Sequence, residues 1–331
     1  MEARTGKTVL VTGATSGIGR ELANLFAKDG YNLVLVARSS DSLNQIAEEY
    51  RQQFGIQATP IAKDLADPKA PEAIYDETRR RGIQVDVLVN NAGMGEYGLF
   101  ANETDLHKEL SIIQINATAL VHLTKLFLKD MVQRNDGKVL MLASIVSIMP
   151  NPLMAVYGAT KSFILSFTEA LQNELKDTQV TVTALLPGAT NTDFFAKAGA
   201  EGTRSHQMAQ DTDPAKVARD GYEALMKGKE KVVSGLMNKA QVAMSHVLPD
   251  ELVTGSVRKQ MERPEDSKRE HGLDEKQQAI LTTALAVGFV AVTTLLWAFG
   301  GMDRNWRKDT SQLRRKAQST GKSLLDNLSL N

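Results

Sequence analysis

Tyr157 and Lys161 stand four residues apart in Tyr157-Gly-Ala-Thr-Lys161, a spacing that puts two side chains on one face of a helix. An ammonium beside a phenol favours the phenolate and lowers the pKa of the phenol. Such a tyrosine can exchange a proton with a carbonyl or alcohol oxygen near neutral pH. By themselves the two residues are more simply explained as solvated helix positions, because six tyrosines and many lysines produce this spacing by chance.

A glycine-rich turn near the N-terminus favours the catalytic interpretation of Tyr157 and Lys161 over that of solvated helix residues. The run Thr8–Thr12 is typical of a buried parallel strand, and residues 20–27 have the pattern of an amphipathic helix. Between them lies Thr12-Gly-Ala-Thr-Ser-Gly-Ile-Gly19, whose spacing differs from the common G-x-G-x-x-G. Glycines let the backbone approach a phosphate, and the helix N-terminus offers it free N–H groups. The order of strand, turn and helix therefore predicts a nucleotide-binding site.

The end of the second predicted strand indicates which nucleotide. Residues 32–37 form an apolar run that ends at Arg38. In dinucleotide-binding folds this strand end lies at the adenosine ribose, where an acidic residue would bind the 2′-hydroxyl and an arginine would accommodate a 2′-phosphate. Asp41 comes three residues after Arg38 and is expected to begin the next helix. Arg38 therefore favours NADP(H) over NAD(H); the alternative is a surface arginine without a role.

The elements that must position these residues alternate between strand and helix patterns from Lys7 to about Thr183. This alternation predicts an α/β fold, a doubly wound parallel sheet with ligands bound at the carboxyl ends of the strands. The net charge is zero, so nothing indicates a nucleic-acid partner. The chain has no cysteine, which excludes disulfides and thiolate chemistry, and its five histidines are scattered, so no metal site is predicted.

The chain resembles the short-chain dehydrogenase/reductase family in its single-domain form of about 250 residues. The resemblance covers about residues 5 to 250. Within the family the chain looks most similar to a bacterial branch, and it resembles more loosely the microsomal ketoacyl, ketosteroid and 3-ketosphinganine reductases. The motifs that carry it follow in the family's order: Thr12 to Gly19, Asp64-Leu65, Asn90-Asn91-Ala92-Gly93, Asn116, Ser144, Tyr157 with Lys161, and Pro187-Gly188 followed by Thr192.

The resemblance implies four catalytic residues. Tyr157 would be the general acid in reduction and the base in oxidation, while Lys161 would lower its pKa and hold the nicotinamide ribose. Ser144 would donate a hydrogen bond to the substrate carbonyl. Asn116 would help to hold a water that connects Lys161 with solvent.

The resemblance also implies how NADP(H) is bound. Asp64 and Leu65 would flank the adenine, the segment 91–93 would pack on the adenosine side, and Thr192 would hold the nicotinamide carboxamide. The complete set of predicted cofactor-binding residues is Gly13, Ser16, Gly17, Ile18, Gly19, Arg38, Asp64, Leu65, Asn91, Ala92, Gly93, Tyr157, Lys161 and Thr192.

The substrate side carries apolar residues. The segment Asp193–Thr203 mixes apolar residues with glycines and is predicted to be a mobile lid. Five apolar side chains would either line a pocket or belong to the ordinary core: Met149, Leu153, Met154, Phe194 and Phe195. As a set they favour a hydrophobic, lipid-like ketone or alcohol.

A second apolar feature follows the enzyme domain. Residues 277–302 contain no charged side chain, and the segment Ala279–Phe299 is long enough for a bilayer core of about 30 Å. We therefore predict a dehydrogenase domain (1–253), a charged linker (254–278), a membrane helix (279–300) and a basic, polar tail (301–331). The alternative is a buried helix in a soluble oligomer.

Two rules conflict on the orientation of this helix. The lack of a predicted N-terminal signal peptide places the catalytic domain on the cytosolic side. The positive-inside rule favours the cytosolic side for the basic tail as well. An interfacial or re-entrant helix that keeps both ends on one side is the alternative.

The sequence thus predicts a membrane-anchored NADP(H)-dependent oxidoreductase for a lipophilic small molecule, and leaves a homo-oligomer open. The alternative is a non-catalytic NADP(H)-binding sensor or scaffold at the membrane. Loss of Tyr157, Lys161 or Ser144 would indicate that alternative, and all three are present.

Overall fold

Seven strands form one parallel sheet in the computed structural model, which describes residues 6–264. The strands are β1 (Thr8–Thr12), β2 (Asn32–Ala37), β3 (Ala58–Ala62), β4 (Val87–Asn90), β5 (Gly137–Leu142), β6 (Val180–Leu186) and β7 (Lys231–Val233). Their order is β3-β2-β1-β4-β5-β6-β7, so the winding reverses between β1 and β4. The predicted doubly wound α/β fold is confirmed, and the predicted helix 279–300 lies outside the described residues.

Helices connect the strands. They are α1 (Gly17–Lys28), α2 (Ser40–Phe54), α3 (Ala70–Arg80), α4 (Leu106–Ile113), α5 (Leu120–Arg134), α6 (Ala155–Glu174), α7 (Phe194–Lys197), α8 (Arg204–Ala209), α9 (Pro214–Met226), α10 (Leu236–Ser245) and α11 (Asp250–Met261). A π-helical turn, Gln114–Ala119, joins α4 to α5, and a 3₁₀ turn, Ile145–Ser147, follows β5.

Both faces of the sheet are buried under helices. Val9 faces a core cluster with α1, α2 and α9, whereas its neighbour Leu10 faces a cluster with α3, α5 and α6. Phe26 and Ile74, from helices on opposite faces, are both fully buried. Because successive side chains of a strand point to opposite faces, two covered faces require the nearly continuous apolar strands of this sequence.

Together, α4, the π-helical turn and α5 form one continuous helix, Leu106–Arg134. Its length and mean hydropathy of 1.3 would allow it to cross a membrane. In this fold one side of the helix belongs to the core: Leu123, Phe127 and Met131 are buried there. Core helices reach the same length and hydropathy, so this helix carries no membrane assignment.

The predicted domain boundary at residue 253 falls inside α11. Val253, Val257 and Met261 form a third apolar cluster, whose other members include Met149 and Phe195. The folded domain therefore extends at least to Met261, and the first part of the predicted linker is helical.

Candidate active site

A cleft of about 700 Å³ lies at the carboxyl ends of the strands, where the predicted site residues were expected to meet. Fourteen predicted positions line it: Gly13, Ser16, Gly17, Ile18, Arg38, Asp64, Leu65, Asn91, Ala92, Gly93, Ser144, Tyr157, Lys161 and Thr192. Gly19 and Asn116 do not line the cleft. Asn116 instead bonds to the loop after β4, and Gly19 leaves room for the Asn91 side chain.

The glycine turn is held against the end of β4 by Asn91. The Asn91 side-chain amide donates to the carbonyl oxygens of Thr12 (2.9 Å) and Gly13 (3.3 Å). The Thr12 hydroxyl in turn accepts from the backbone N–H of Asn91 and of Ala92, both at 3.0 Å. A Cβ on Gly19 would lie 2.3 Å from the Asn91 amide nitrogen, so glycine is required there. The Asn91 side chain, predicted to pack on the adenosine side, is therefore engaged with the turn.

The first turn of α1 has the properties of an anion site. Ser16 is its N-cap, but the Ser16 side chain makes no capping hydrogen bond, and no acidic residue lies in the turn. Gly17 has φ +55°, and a Cβ there would lie 2.9 Å from the Thr192 methyl group. The backbone N–H groups of the turn can therefore be approached closely by a phosphate.

The end of the cleft beside β2 and β3 carries two cationic side chains. Arg38 directly follows β2, as predicted, and its side chain is exposed. Lys63, which follows the neighbouring strand β3, also lines the cleft, and its N–H donates to the Ala37 carbonyl at 2.9 Å. The sequence analysis missed Lys63, although its position directly before Asp64 at a strand end is a readable signal.

Tyr157 and Lys161 lie together on α6, as their spacing predicted. The Lys161 Nζ is 5.6 Å from the centre of the Tyr157 ring and donates to the Leu142 carbonyl at 2.7 Å. Lys161 is 4% exposed, and burial lowers its pKa to about 8. The Phe194 ring lies 5.0 Å from that of Tyr157, centre to centre.

The Tyr157 pKa differs in direction from the expectation. Burial raises the pKa of Tyr157 to about 12, while a hydrogen bond from Ser144 opposes the rise. The prediction that Lys161 lowers this pKa was wrong, because the cost of burying the phenolate exceeds the favourable effect of the Ser144 hydrogen bond.

Ser144 is fixed by the turn that follows β5. Its hydroxyl accepts from the Val146 N–H (3.3 Å) and donates to the Pro187 carbonyl (3.4 Å). The Ser147 hydroxyl accepts from the Ser144 N–H at 3.1 Å, which completes a capping box. The turn therefore holds the Ser144 hydroxyl in the cleft wall beside Tyr157.

Asn116 lies in the π-helical turn and is fully buried. Its side chain pairs with both backbone groups of Met94, at 3.0 and 2.9 Å, and donates to the Thr160 hydroxyl at 3.1 Å. A Cβ on Gly93 would lie 3.4 Å from the Asn116 oxygen and 3.7 Å from the Lys161 Nζ. Asn116 therefore ties the loop after β4 to α6; its contact with a water stays a prediction.

Apolar side chains form part of the wall at the other end of the cleft. Met154, Phe194 and Phe195 line this wall, whereas Met149 and Leu153 do not, and all five belong to or pack against the third apolar cluster. The sequence analysis missed the contributions of the last two helices to this wall: Asn238, Gln241, Val257, Gln260 and Met261. Their separation in sequence from every motif left no signal for them.

The predicted lid is short and attached at several points. It consists of α7 and the turn that leads to α8. The Ala198 carbonyl accepts from the Tyr97 N–H at 2.9 Å, and Arg263 donates to the carbonyls of Gly199 and Glu201, each at 3.1 Å. The segment thus connects the loop after β4 with the end of α11, while its predicted mobility is untested.

The fold and this site are those of a dinucleotide-dependent oxidoreductase family. The short chain dehydrogenase family matches residues 7–202, so the chain belongs to that family and the resemblance drawn from its motifs is confirmed.

Proteins that are similar to this chain carry the names of reductases for different carbonyl compounds. The human very-long-chain 3-oxoacyl-CoA reductase is 37% identical over 187 residues, covering 55% of this chain and 59% of that protein. The chain thus spans about three fifths of the length of that reductase. Sulfoacetaldehyde reductase 2 of Chromohalobacter salexigens is 35% identical over 208 residues, covering 62% of this chain and 82% of that protein.

Among solved structures, a short-chain dehydrogenase from Sphingobium yanoikuyae in complex with NADPH is similar, with a TM-score of 0.65 and 29% identity. The match covers 73% of this chain and 96% of that one.

Proposed function

We propose that the protein is an NADP(H)-dependent oxidoreductase that reduces the carbonyl, or oxidises the alcohol, of a lipophilic substrate. The observation that carries the proposal is a single cleft with a phosphate-accessible glycine turn at one end and Tyr157, Ser144 and Lys161 at the other. The cleft thus holds the groups that bind a dinucleotide next to groups that polarise and protonate an oxygen.

The residues present fit a nicotinamide dinucleotide. The free N–H groups of the first turn of α1 would bind its pyrophosphate, and Thr192 would hold its carboxamide. Arg38 and Lys63 would bind a 2′-phosphate, which supports NADP(H). The cofactor supplies the hydride when bound.

Tyr157 serves as the general acid for reduction. With a pKa of about 12 its phenol keeps its proton at neutral pH and can donate it to the alkoxide oxygen as that charge develops. The Ser144 hydroxyl donates a hydrogen bond to the same oxygen and so stabilises the negative charge. In oxidation the two roles reverse.

Lys161 assists by holding a positive charge beside the phenol. Its ammonium donates to the Leu142 carbonyl, and its lowered pKa of about 8 makes proton release feasible near neutrality. After Tyr157 has given up its proton, Lys161 can stabilise the phenolate and restore the proton, with Asn116 fixing the loop beside it.

The lipophilic substrate is supported by the wall around Met154, Phe194 and Phe195 and by the named activity of the 3-oxoacyl-CoA reductases. The apolar segment 279–300 would anchor the protein in a membrane, with the catalytic domain on the cytosolic side. An anchored enzyme meets membrane-dissolved substrates in a thin layer at high effective concentration.

The Tyr157→Phe variant tests this proposal in NADPH-absorbance assays with 3-keto lipids, ketosteroids and small ketones. The ring still packs against Phe194 but has no proton to give, so turnover should fall more than tenfold while NADPH binding is kept.

The matched control is Tyr75→Phe, which removes a phenol hydroxyl on α3 outside the cleft and should leave turnover intact. If Tyr157→Phe retained more than a tenth of the wild-type rate on a good substrate, the assignment of Tyr157 would be wrong.

A further inference from the structure

Asn151 is a buried polar residue in the cleft wall, and it has no role in the reaction proposed above. It lines the cleft together with Tyr157 and Met154 and is only 7% exposed. Its carboxamide oxygen has no hydrogen-bond partner among residues 6–264. A buried amide without a partner is destabilising, and a bound group that pairs with it removes that cost.

Local structure does not account for this side chain. The N-cap of α6 is Met154, and no side chain caps that helix. The Met154 N–H donates to the backbone carbonyl of Asn151 at 3.2 Å, which leaves the carboxamide out of the turn. An asparagine is therefore not required here for the start of α6.

The backbone around Asn151 is nevertheless tightly constrained. Pro150 and Pro152 flank it, and proline fixes φ. Leu153 has φ +66°, a left-handed conformation that is unfavourable for a bulky residue, and its carbonyl accepts from the Gly98 N–H at 2.9 Å. Such strain is found where the surrounding structure holds a residue in place for function.

The Asn151 side chain is held close to the catalytic helix. A Cβ on Gly158 would lie 2.6 Å from the Asn151 Cβ, so the asparagine packs on the backbone of the residue that follows Tyr157. Another amide of the cleft differs in this respect, because the Asn238 side chain donates to the Ser234 carbonyl at 2.6 Å. Among residues 6–264, Asn151 thus brings a carboxamide with an unpaired oxygen to the cleft lining next to α6, with Met154 and Phe194 in the same lining.

We propose that Asn151 binds a hydroxyl group that the substrate carries close to its reacting carbonyl. This inference rests on the proposed function and narrows its substrate class to lipophilic hydroxyketones in reduction and the corresponding diols in oxidation. A hydroxyl fits a carboxamide because it can accept from the amide N–H, and it can donate to the amide oxygen once a rotation of the amide turns that oxygen, which is shielded in this structure, towards the cleft. The apolar wall then holds the rest of the substrate.

The experiment compares decan-2-one with 1-hydroxydecan-2-one and 4-hydroxydecan-2-one, using full-length protein and NADPH. The wild-type protein should favour at least one hydroxyketone by about tenfold or more in kcat/KM, since a site built to bind a hydroxyl discriminates against analogues that lack it. In Asn151→Leu, which replaces the amide by an apolar group of similar size, the preference should fall to within about twofold.

The control is Met154→Leu, which alters the same wall but keeps the amide, and should change the rates of all three compounds by a similar factor. Equal wild-type kcat/KM values for the three compounds would overturn the inference even if Asn151→Leu failed to fold. So would a preference that persists in Asn151→Leu.

If none of the three compounds oxidised NADPH, the proposed function would be contradicted for this class. The role of Asn151 would then be decided by the affinities of the same compounds for the protein–NADPH complex. Tighter binding of a hydroxyketone that is lost in Asn151→Leu would support it, and equal affinities would overturn it.

Discussion

At the scale of single residues, Lys161 shows how burial sets the chemistry of the site. The lysine is 4% exposed and its ammonium is held by the Leu142 carbonyl. Its pKa is lowered from 10.5 to about 8, because the charged form loses its hydration. A lysine in this range can release and regain a proton at pH values where an exposed lysine cannot.

This pKa predicts a pH profile. In reduction, kcat/KM should fall as the pH rises through about 8, because Lys161 loses the charge that supports Tyr157. Lys161→Arg should move the fall to higher pH, while Lys161→Met should leave a low rate without the fall near pH 8. A wild-type profile that stays flat up to pH 10 would contradict this role of Lys161.

The lowered pKa of Lys161 also predicts how the free energy of unfolding changes with pH. The folded pKa of Lys161 lies below the unfolded value, so the unfolded state binds more protons between them. The contribution of Lys161 to the free energy of unfolding should therefore rise as the pH increases from about 8 to 10.5. Denaturant titration of wild type and Lys161→Met at several pH values measures that difference.

Arg38 is predicted to determine the choice of cofactor. Arg38→Asp should weaken NADPH binding by about tenfold or more and affect NADH much less, because attraction to the 2′-phosphate is replaced by repulsion. Dissociation constants for both cofactors measure this, with Arg79→Asp, outside the cleft, as the charge-matched control.

Lys63→Ser should weaken NADPH less, since Arg38 remains. If Arg38→Asp left the preference between the two cofactors unchanged, some other residue would have to bind the phosphate.

At the scale of elements, the glycine turn and α1 depend on a close approach to the end of β4. Gly19 lies inside α1, and a Cβ there would also be 2.3 Å from the Gly13 carbonyl oxygen. The Asn91 side chain fills the remaining space and ties the two segments. The glycine pattern is therefore partly a packing requirement that shapes the phosphate site.

Gly19→Ala should reduce both stability and NADPH affinity, with a cost of about 1–3 kcal/mol for the overpacked contact. The matched control is Gly255→Ala in α11, where a Cβ meets nothing within 4 Å. That change should stabilise the protein by about 0.4–1 kcal/mol through the unfolded chain. Thermal unfolding with and without NADPH distinguishes the two, and a neutral Gly19→Ala would contradict the packing argument.

At the scale of the whole molecule, α11 contributes to the cleft wall and precedes the apolar segment in the sequence. Val257 and Met261 line the cleft, and with Val253 they pack against the lid side of the domain. Truncation at residue 253 should therefore damage the substrate site, whereas a chain that ends after Pro264 keeps all of α11.

We expect the full-length protein to remain in membranes after an alkaline wash, because about twenty apolar residues would be buried in lipid. The chain that ends after Pro264 should be soluble and still bind NADPH. It should lose rate on membrane-dissolved substrates but not on a water-soluble ketone. Full-length protein in the soluble fraction without detergent would contradict the anchor and favour the buried helix of an oligomer.

Much of this protein followed from its sequence. The alternating strand and helix patterns predicted the sheet, and the motif residues from Gly13 to Thr192 almost all line one cleft. Such features are local, since a strand pattern, a glycine turn or an i, i+4 pair depends on a few neighbouring residues. The carboxyl ends of parallel strands then bring them together without further information.

Only the tertiary structure decided the rest, because burial and long-range contact are not encoded in any short segment. It reversed the expected direction of the Tyr157 pKa, placed Met154 but not Met149 in the cleft lining, and brought α10 and α11 to the cleft wall. It also left the carboxamide oxygen of Asn151, near α6, without a hydrogen-bond partner among residues 6–264. Desolvation and an unsatisfied amide depend on every group packed around a residue, and those groups come from distant parts of the chain.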